Sequence, residues 1–128
     1  MVRTLLSDGF EVAVFHNRGV ENTPYTSLKF ADLSRREELE KTMDFVKQKA
    51  GCEAHLVGVG LSLGGNTVMK IAGEMGTDFP LRAIVSVNNP FDMWLSMNLM
   101  RGTAYEKALV KELTKHMITR EKFDLSLE

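Results

Sequence analysis

Ser62 lies in the run Gly60-Leu61-Ser62-Leu63-Gly64, the spacing G-x-S-x-G. In that setting a serine hydroxyl can attack a carbonyl carbon, provided a base takes its proton and donors hold the oxyanion that forms. The chemistry dictates the geometry. The serine must stand on a very tight, strained turn between a strand and a helix, so that Oγ projects above the sheet. Side chains two residues to either side would meet neighbouring backbone, so glycine is expected at both 60 and 64. Gly65 adds clearance where the helix packs on the sheet. The N–H of Leu63 opens the helix, at the positive end of its dipole, and would be one half of an oxyanion hole. Ser62 and Leu63 are therefore the two candidate catalytic positions.

Other readings of the same residues compete. A glycine-rich turn bearing a structural serine would match five residues by chance. Gly58, Gly60 and Gly64 also succeed a strand, but their spacing is G-x-G-x-x-x-G rather than the dinucleotide-binding G-x-G-x-x-G. The next strand ends in Asn88-Asn89, with no acidic residue to hold a ribose hydroxyl. Asp92 and His116 come after Ser62 in the order of a serine triad, yet His116 falls within a helical pattern instead of a loop. His16, at the carboxyl end of a short strand, would lie on the same sheet edge as Ser62 or hold its own loop with Asn17 and Arg18. His55 precedes its strand and faces the opposite edge. Three scattered histidines and Cys52 have no metal-ligand spacing, so neither a metal nor a cofactor is expected.

The elements that must position Ser62 are legible around it. Leu56 to Val59 reads as a buried strand running into the turn. A helix comes next, with Val68, Ala72 and Met75 in register and Gly76 at its end. Leu81 to Val87 is the next strand, and Pro90 breaks whatever follows it. Upstream, Val2, Leu5 and Leu6 end a helix at Asp8-Gly9, and Phe10 to Phe15 reads as a short strand. A polar loop with Thr23-Pro24-Tyr25 comes after it. Ser34 and Glu37 then form a capping box for a helix with Leu39, Met43, Val46 and Ala50 on one face and Gly51 as its stop. The charges from Arg35 to Lys41 read as its solvated side. Downstream, Met93 to Met100 is apolar without a strand pattern, suited to lining an acyl-chain tunnel or to ordinary packing. A last helix starts at Thr103, with Glu106 completing a capping box and Leu109, Leu113 and Met117 on one face. Strands alternating with helices predict α/β architecture with a parallel sheet.

Composition narrows the function class. With 16 basic against 17 acidic side chains, the charge balance gives no electrostatic reason to expect nucleic acid, whose phosphates call for a clustered basic surface. Cys52 is the lone cysteine, which excludes an internal disulfide and favours a reducing, intracellular compartment. No apolar run approaches the ~20 residues needed to cross a bilayer. The N-terminal residues lack the pattern of a signal peptide.

Three runs carry a family resemblance: Phe15-His16-Asn17-Arg18-Gly19, Gly60-Leu61-Ser62-Leu63-Gly64-Gly65-Asn66, and Asn89-Pro90-Phe91-Asp92. In this order they resemble one branch of the α/β-hydrolases. That branch holds the YheT-like esterases, the plant embryogenesis-associated proteins and animal lipid hydrolases acting on acylglycerols and phospholipids. The resemblance implies a three-layer α/β-hydrolase fold, present in part: strands four, five and six with flanking helices over residues 1–92, and the start of a lid over 93–128. It also implies that strand three, which lies between four and five, is absent. Phe10–Phe15 and Leu56–Val59 would then stand apart or pair directly, whereas Leu56–Val59 and Leu81–Val87 would be adjacent and parallel.

The resemblance further implies a serine hydrolase of carboxylic esters or acylglycerols, with a small lipid or ester as substrate and no cofactor. The catalytic Asp and His would lie outside these 128 residues. Alone, the chain is expected to be nearly inert, and a longer form with an N-terminal anchor would contact a membrane. The alternative is a truncated product that acts as an interaction module or has no function.

Overall fold

The computed structural model describes residues 1–18, 36–51 and 53–115. Its elements are α1 (Val2–Ser7), α2 (Arg36–Ala50), β1 (Val57–Leu61), α3 (Leu63–Met75), β2 (Ala83–Val87), α4 (Met93–Met100) and α5 (Ala104–Leu113). A short 3₁₀ turn, Gly76–Asp78, succeeds α3. The architecture is mixed α/β, with a small parallel sheet.

β1 and β2 pair in parallel with Val57 opposite Ala83 and Leu61 opposite Val87, joined through α3 as a βαβ unit. Adjacency and direction are as the sequence predicts, with both strands beginning a residue or two later than expected. Side chains alternate across a strand, and here the alternation separates two unlike faces. Gly58 and Gly60, opposite Ile84 and Ser86, form the face toward α3, and their missing side chains let the helix approach closely. Val68 and Ile71 of α3 fill that contact, and Ile71 is completely buried. The opposite face, built from Val57, Val59, Leu61, Val85 and Val87, is uncovered, with Val57 52% and Leu61 53% exposed.

Two expectations need correction. Phe10–Phe15 forms no strand; residues 10–17 have no regular secondary structure. An extended run needs a ladder partner for its backbone groups, and among the described residues β1 is hydrogen-bonded to β2 alone. Phe10 and Val14 are correspondingly exposed. The sheet among the described residues thus has two strands, not three, and α3 covers one face of it, giving a helix on a sheet instead of helices on both sides.

The helix ends agree closely with the sequence. α1 closes with Phe10 N–H donating to Leu5 O and Gly9 N–H to Leu6 O, at 3.0 and 3.2 Å, the paired bonds of a left-handed glycine stop. α2 ends at Gly51, whose φ is +96°, and buries Met43. Its predicted cap, Ser34, lies outside the described residues, as do Thr23-Pro24-Tyr25, Cys52, His116 and Met117. Thr103 Oγ accepts from Glu106 N–H at 3.3 Å, and the Glu106 carboxylate accepts from Gly102 N–H, one residue before the position a reciprocal box would use. Leu109 and Leu113 share a face of α5 but are exposed.

Candidate active site

The turn between β1 and α3 places Ser62 at φ 51° and ψ −122°, a conformation that L-residues other than glycine rarely adopt. Three backbone bonds hold it. Ser62 N–H donates to Val87 O of β2 at 2.8 Å, while its own carbonyl accepts from Gly65 N–H at 2.9 Å and Asn66 N–H at 3.2 Å. Serine at a helix start ordinarily turns its hydroxyl inward to cap the first N–H groups. Here Ser62 makes no side-chain cap bond, and the residue is exposed. The hydroxyl is therefore left for other use, on a strand-to-helix turn of the kind the motif requires. Leu63 is the first residue of α3, where an N–H has no intrahelical acceptor.

The glycines around Ser62 divide unequally. A Cβ on Gly60 would stand 2.6 Å from Gly64 O and from Gly65 Cα. One on Gly65 would stand 2.6 Å from Ser86 Oγ and 3.0 Å from Gly60 O. Gly64, by contrast, has nothing within 4 Å, so the expected clash at that position does not exist among the described residues. Glycine is demanded on the strand side and at the second position of the Gly64-Gly65 pair, where α3 presses on β2.

The carboxyl end of β2 completes the neighbourhood. Asn88 takes φ 51°, and Asn66 Nδ2 donates to Pro90 O at 3.0 Å, joining the first turn of α3 to the Asn89-Pro90 turn. Two motif runs far apart in sequence thus meet through one side chain, a contact that spacing alone does not announce. Ser86 Oγ and both polar atoms of the Asn89 side chain are buried there without a partner among the described residues.

Asp92 has a local task. Its Oδ1 accepts from Leu95 N–H at 2.8 Å, capping α4. Capping explains why the apolar run Met93–Met100, where the sequence predicts no particular element, is a helix. Asp92→Ala should cost α4 about 1 kcal/mol. Amide exchange at Ser96 and Met97 would report the loss, with the amides of α3 unchanged.

His16 is exposed, and the strand expected to bring it to the edge beside Ser62 does not form. Arg18 pairs with Glu38 of α2, fastening this segment to that helix. His55 is exposed before β1, as expected. No group of three or more metal-ligating side chains occurs among the described residues. A groove between α2 and residues 75–80, lined by Glu37, Glu40, Lys41, Asp44 and Asp78, includes none of the motif residues.

The chain is similar to an embryogenesis-associated protein. Over 110 residues, 82% of its own length, it is 30% identical to embryogenesis-associated protein EMB8 of Picea glauca. It spans about a quarter of that protein, 24% of its length. No family model matches the chain, and no solved structure matches it. The similarity falls on one of the groups to which the motifs point, and the relative's name states no activity.

Proposed function

We propose that this chain carries the nucleophile of a serine hydrolase acting on carboxylic esters, with acylglycerols and related lipid esters as the substrate class, in an α/β-hydrolase framework. The observation that carries the reading is the backbone of Ser62. A positive φ on a serine costs ~1–3 kcal/mol, and at this position no capping bond from the hydroxyl offsets it. Strain of this kind has a use where it aims Oγ outward beside the open N–H of Leu63.

In the proposed mechanism Oγ of Ser62 attacks the ester carbonyl as a base takes its proton, and the Leu63 N–H donates to the oxyanion. The base, the acid that orients it and the second oxyanion donor belong to chain beyond these residues. The bare valine-rich face of the sheet supports a larger framework, since parallel strands are ordinarily covered on both faces. The same framework would supply the partner that Phe10–Phe15 lacks among the described residues.

The test is covalent labelling. A polypeptide containing these residues within the full length of such a hydrolase should react with a fluorophosphonate, and peptide mapping should place the adduct on Ser62. Residues 1–128 alone should label at background. An adduct elsewhere, or none in the longer polypeptide, would leave the reading without support and favour a non-enzymatic interaction module.

A further inference from the structure

Asn66 stands one turn into α3, bonded in two directions. Its backbone N–H donates to Ser62 O at 3.2 Å, and its side-chain Nδ2 donates to Pro90 O at 3.0 Å. The turn it reaches holds one backbone bond of its own, Phe91 N–H to Asn89 O at 3.0 Å. Asn88 carries a positive φ, and the buried Asn89 carboxamide has no partner among the described residues. That turn nevertheless begins one residue after Val87, whose carbonyl accepts the Ser62 N–H at 2.8 Å. The Ser62 peptide is thus tied to β2 on one side and, through Asn66, to the residues just beyond β2 on the other.

We propose that Asn66 is a positioning residue for Ser62: its carboxamide clasps the Asn88–Pro90 turn to the first turn of α3 and so keeps the strained Ser62 backbone, and with it the Leu63 N–H, in one orientation. The catalytic consequence rests on the hydrolase reading above; the mechanical one does not. A donor is required at Nδ2, because the partner is a carbonyl. Asn66→Asp preserves size and suits the positive end of the helix, but it sets a carboxylate against Pro90 O. Asn66→Gln keeps the donor one methylene further out.

Two measurements on the same variants separate the possibilities. The first is the fluorophosphonate labelling rate of Ser62 in the longer polypeptide, expected to fall ~10–100-fold in Asn66→Asp, as for a small misplacement of a reacting group, and to recover in part in Asn66→Gln. The second is amide exchange in the 128-residue chain. Loss of one such bond should accelerate exchange at the Ser62 N–H about 5–10-fold, with the Ile71 N–H in the middle of α3 unchanged. Equal acceleration at Ser62 and Ile71 would mean general destabilisation and overturn the proposal, as would wild-type labelling by Asn66→Asp. If the wild-type protein does not label, the hydrolase reading fails, and exchange at Ser62 against Ile71 still decides whether the clasp exists.

Discussion

Gly60→Ala should destabilise the chain by more than ~3 kcal/mol, while Gly64→Ala, in the same motif, should leave stability unchanged or raise it by up to ~1 kcal/mol. The asymmetry comes from what each new methyl group would meet. At Gly60 the added carbon falls 2.6 Å from Gly64 O, 2.6 Å from Gly65 Cα and 2.7 Å from Gly64 C. All three are backbone atoms, and favourable carbon contacts lie near ~3.5–4.0 Å. No side chain can rotate away, so the first turn of α3 must retreat by about 1 Å to restore such contacts. Retreat stretches the Ser62 N–H bond to Val87 O and opens a gap over Ile71, which is completely buried. Overpacking alone typically costs ~1–3 kcal/mol, and here a cavity and a strained hydrogen bond add to it. At Gly64 nothing lies within 4 Å, and alanine is the better helix former by about 1 kcal/mol. Urea midpoints of the two variants measure the difference. Equal losses at both positions would show that the requirement for glycine comes from the pattern as a whole and not from one close approach.

The contrast between the two glycines also shows how far the sequence is informative. Local signals are legible wherever a residue acts on its own neighbours. The stops at Gly9, Gly51 and Gly76, the Thr103 cap and the strand-turn-helix at Ser62 all depend on interactions within a few residues. The parallel pairing of β1 and β2 is legible too, because a strand, helix and strand in succession leave few arrangements. Contacts between distant segments are less accessible. The motif demands glycine at 64, yet among the described residues it is Gly65 that meets Ser86 Oγ at 2.6 Å and Gly60 O at 3.0 Å, as its place against the sheet suggests, while Gly64 is open. Ile71, the most buried side chain, does not stand out in the sequence, since Val68, Ala72 and Met75 describe the same helix face adequately.

Phe10–Phe15 shows the opposite failure. Its composition is that of a strand, but strand propensity is largely a preference for a pleated, half-buried surface. Without a ladder partner among the described residues the preference has nothing to act on, and the segment is irregular. At Met93–Met100 the pattern is apolar on all sides, which hides a helical period, and Trp94 is 78% exposed. The decisive signal is Asp92. Its place after a strand invites a triad reading, whereas its place before an eight-residue run marks it as a cap.

Ser62→Gly separates a strained functional serine from a structural one, because the two roles predict stability changes of opposite sign. At φ 51° and ψ −122° a serine carries ~1–3 kcal/mol of backbone strain that glycine does not. Glycine offsets ~0.5–1 kcal/mol of this through the greater freedom of the unfolded chain. Since the hydroxyl makes no cap bond, its removal should cost the fold little. The net expectation is a gain of about 0.5–2 kcal/mol in the 128-residue chain, read as a rise in the thermal midpoint of a few degrees. Ser62→Ala is the control. It deletes the same oxygen but keeps a Cβ, hence the strain, and should lie within about 0.5 kcal/mol of wild type. In a polypeptide that completes the catalytic set, both substitutions should lower turnover by ~10⁴–10⁶. Stability gained by the variant that loses activity is the mark of a site where strain serves the reaction. A loss of more than about 1 kcal/mol in Ser62→Gly, the size of a lost cap, would instead assign the hydroxyl to holding the turn together, and the bare motif would then be a glycine-rich bend with a structural serine.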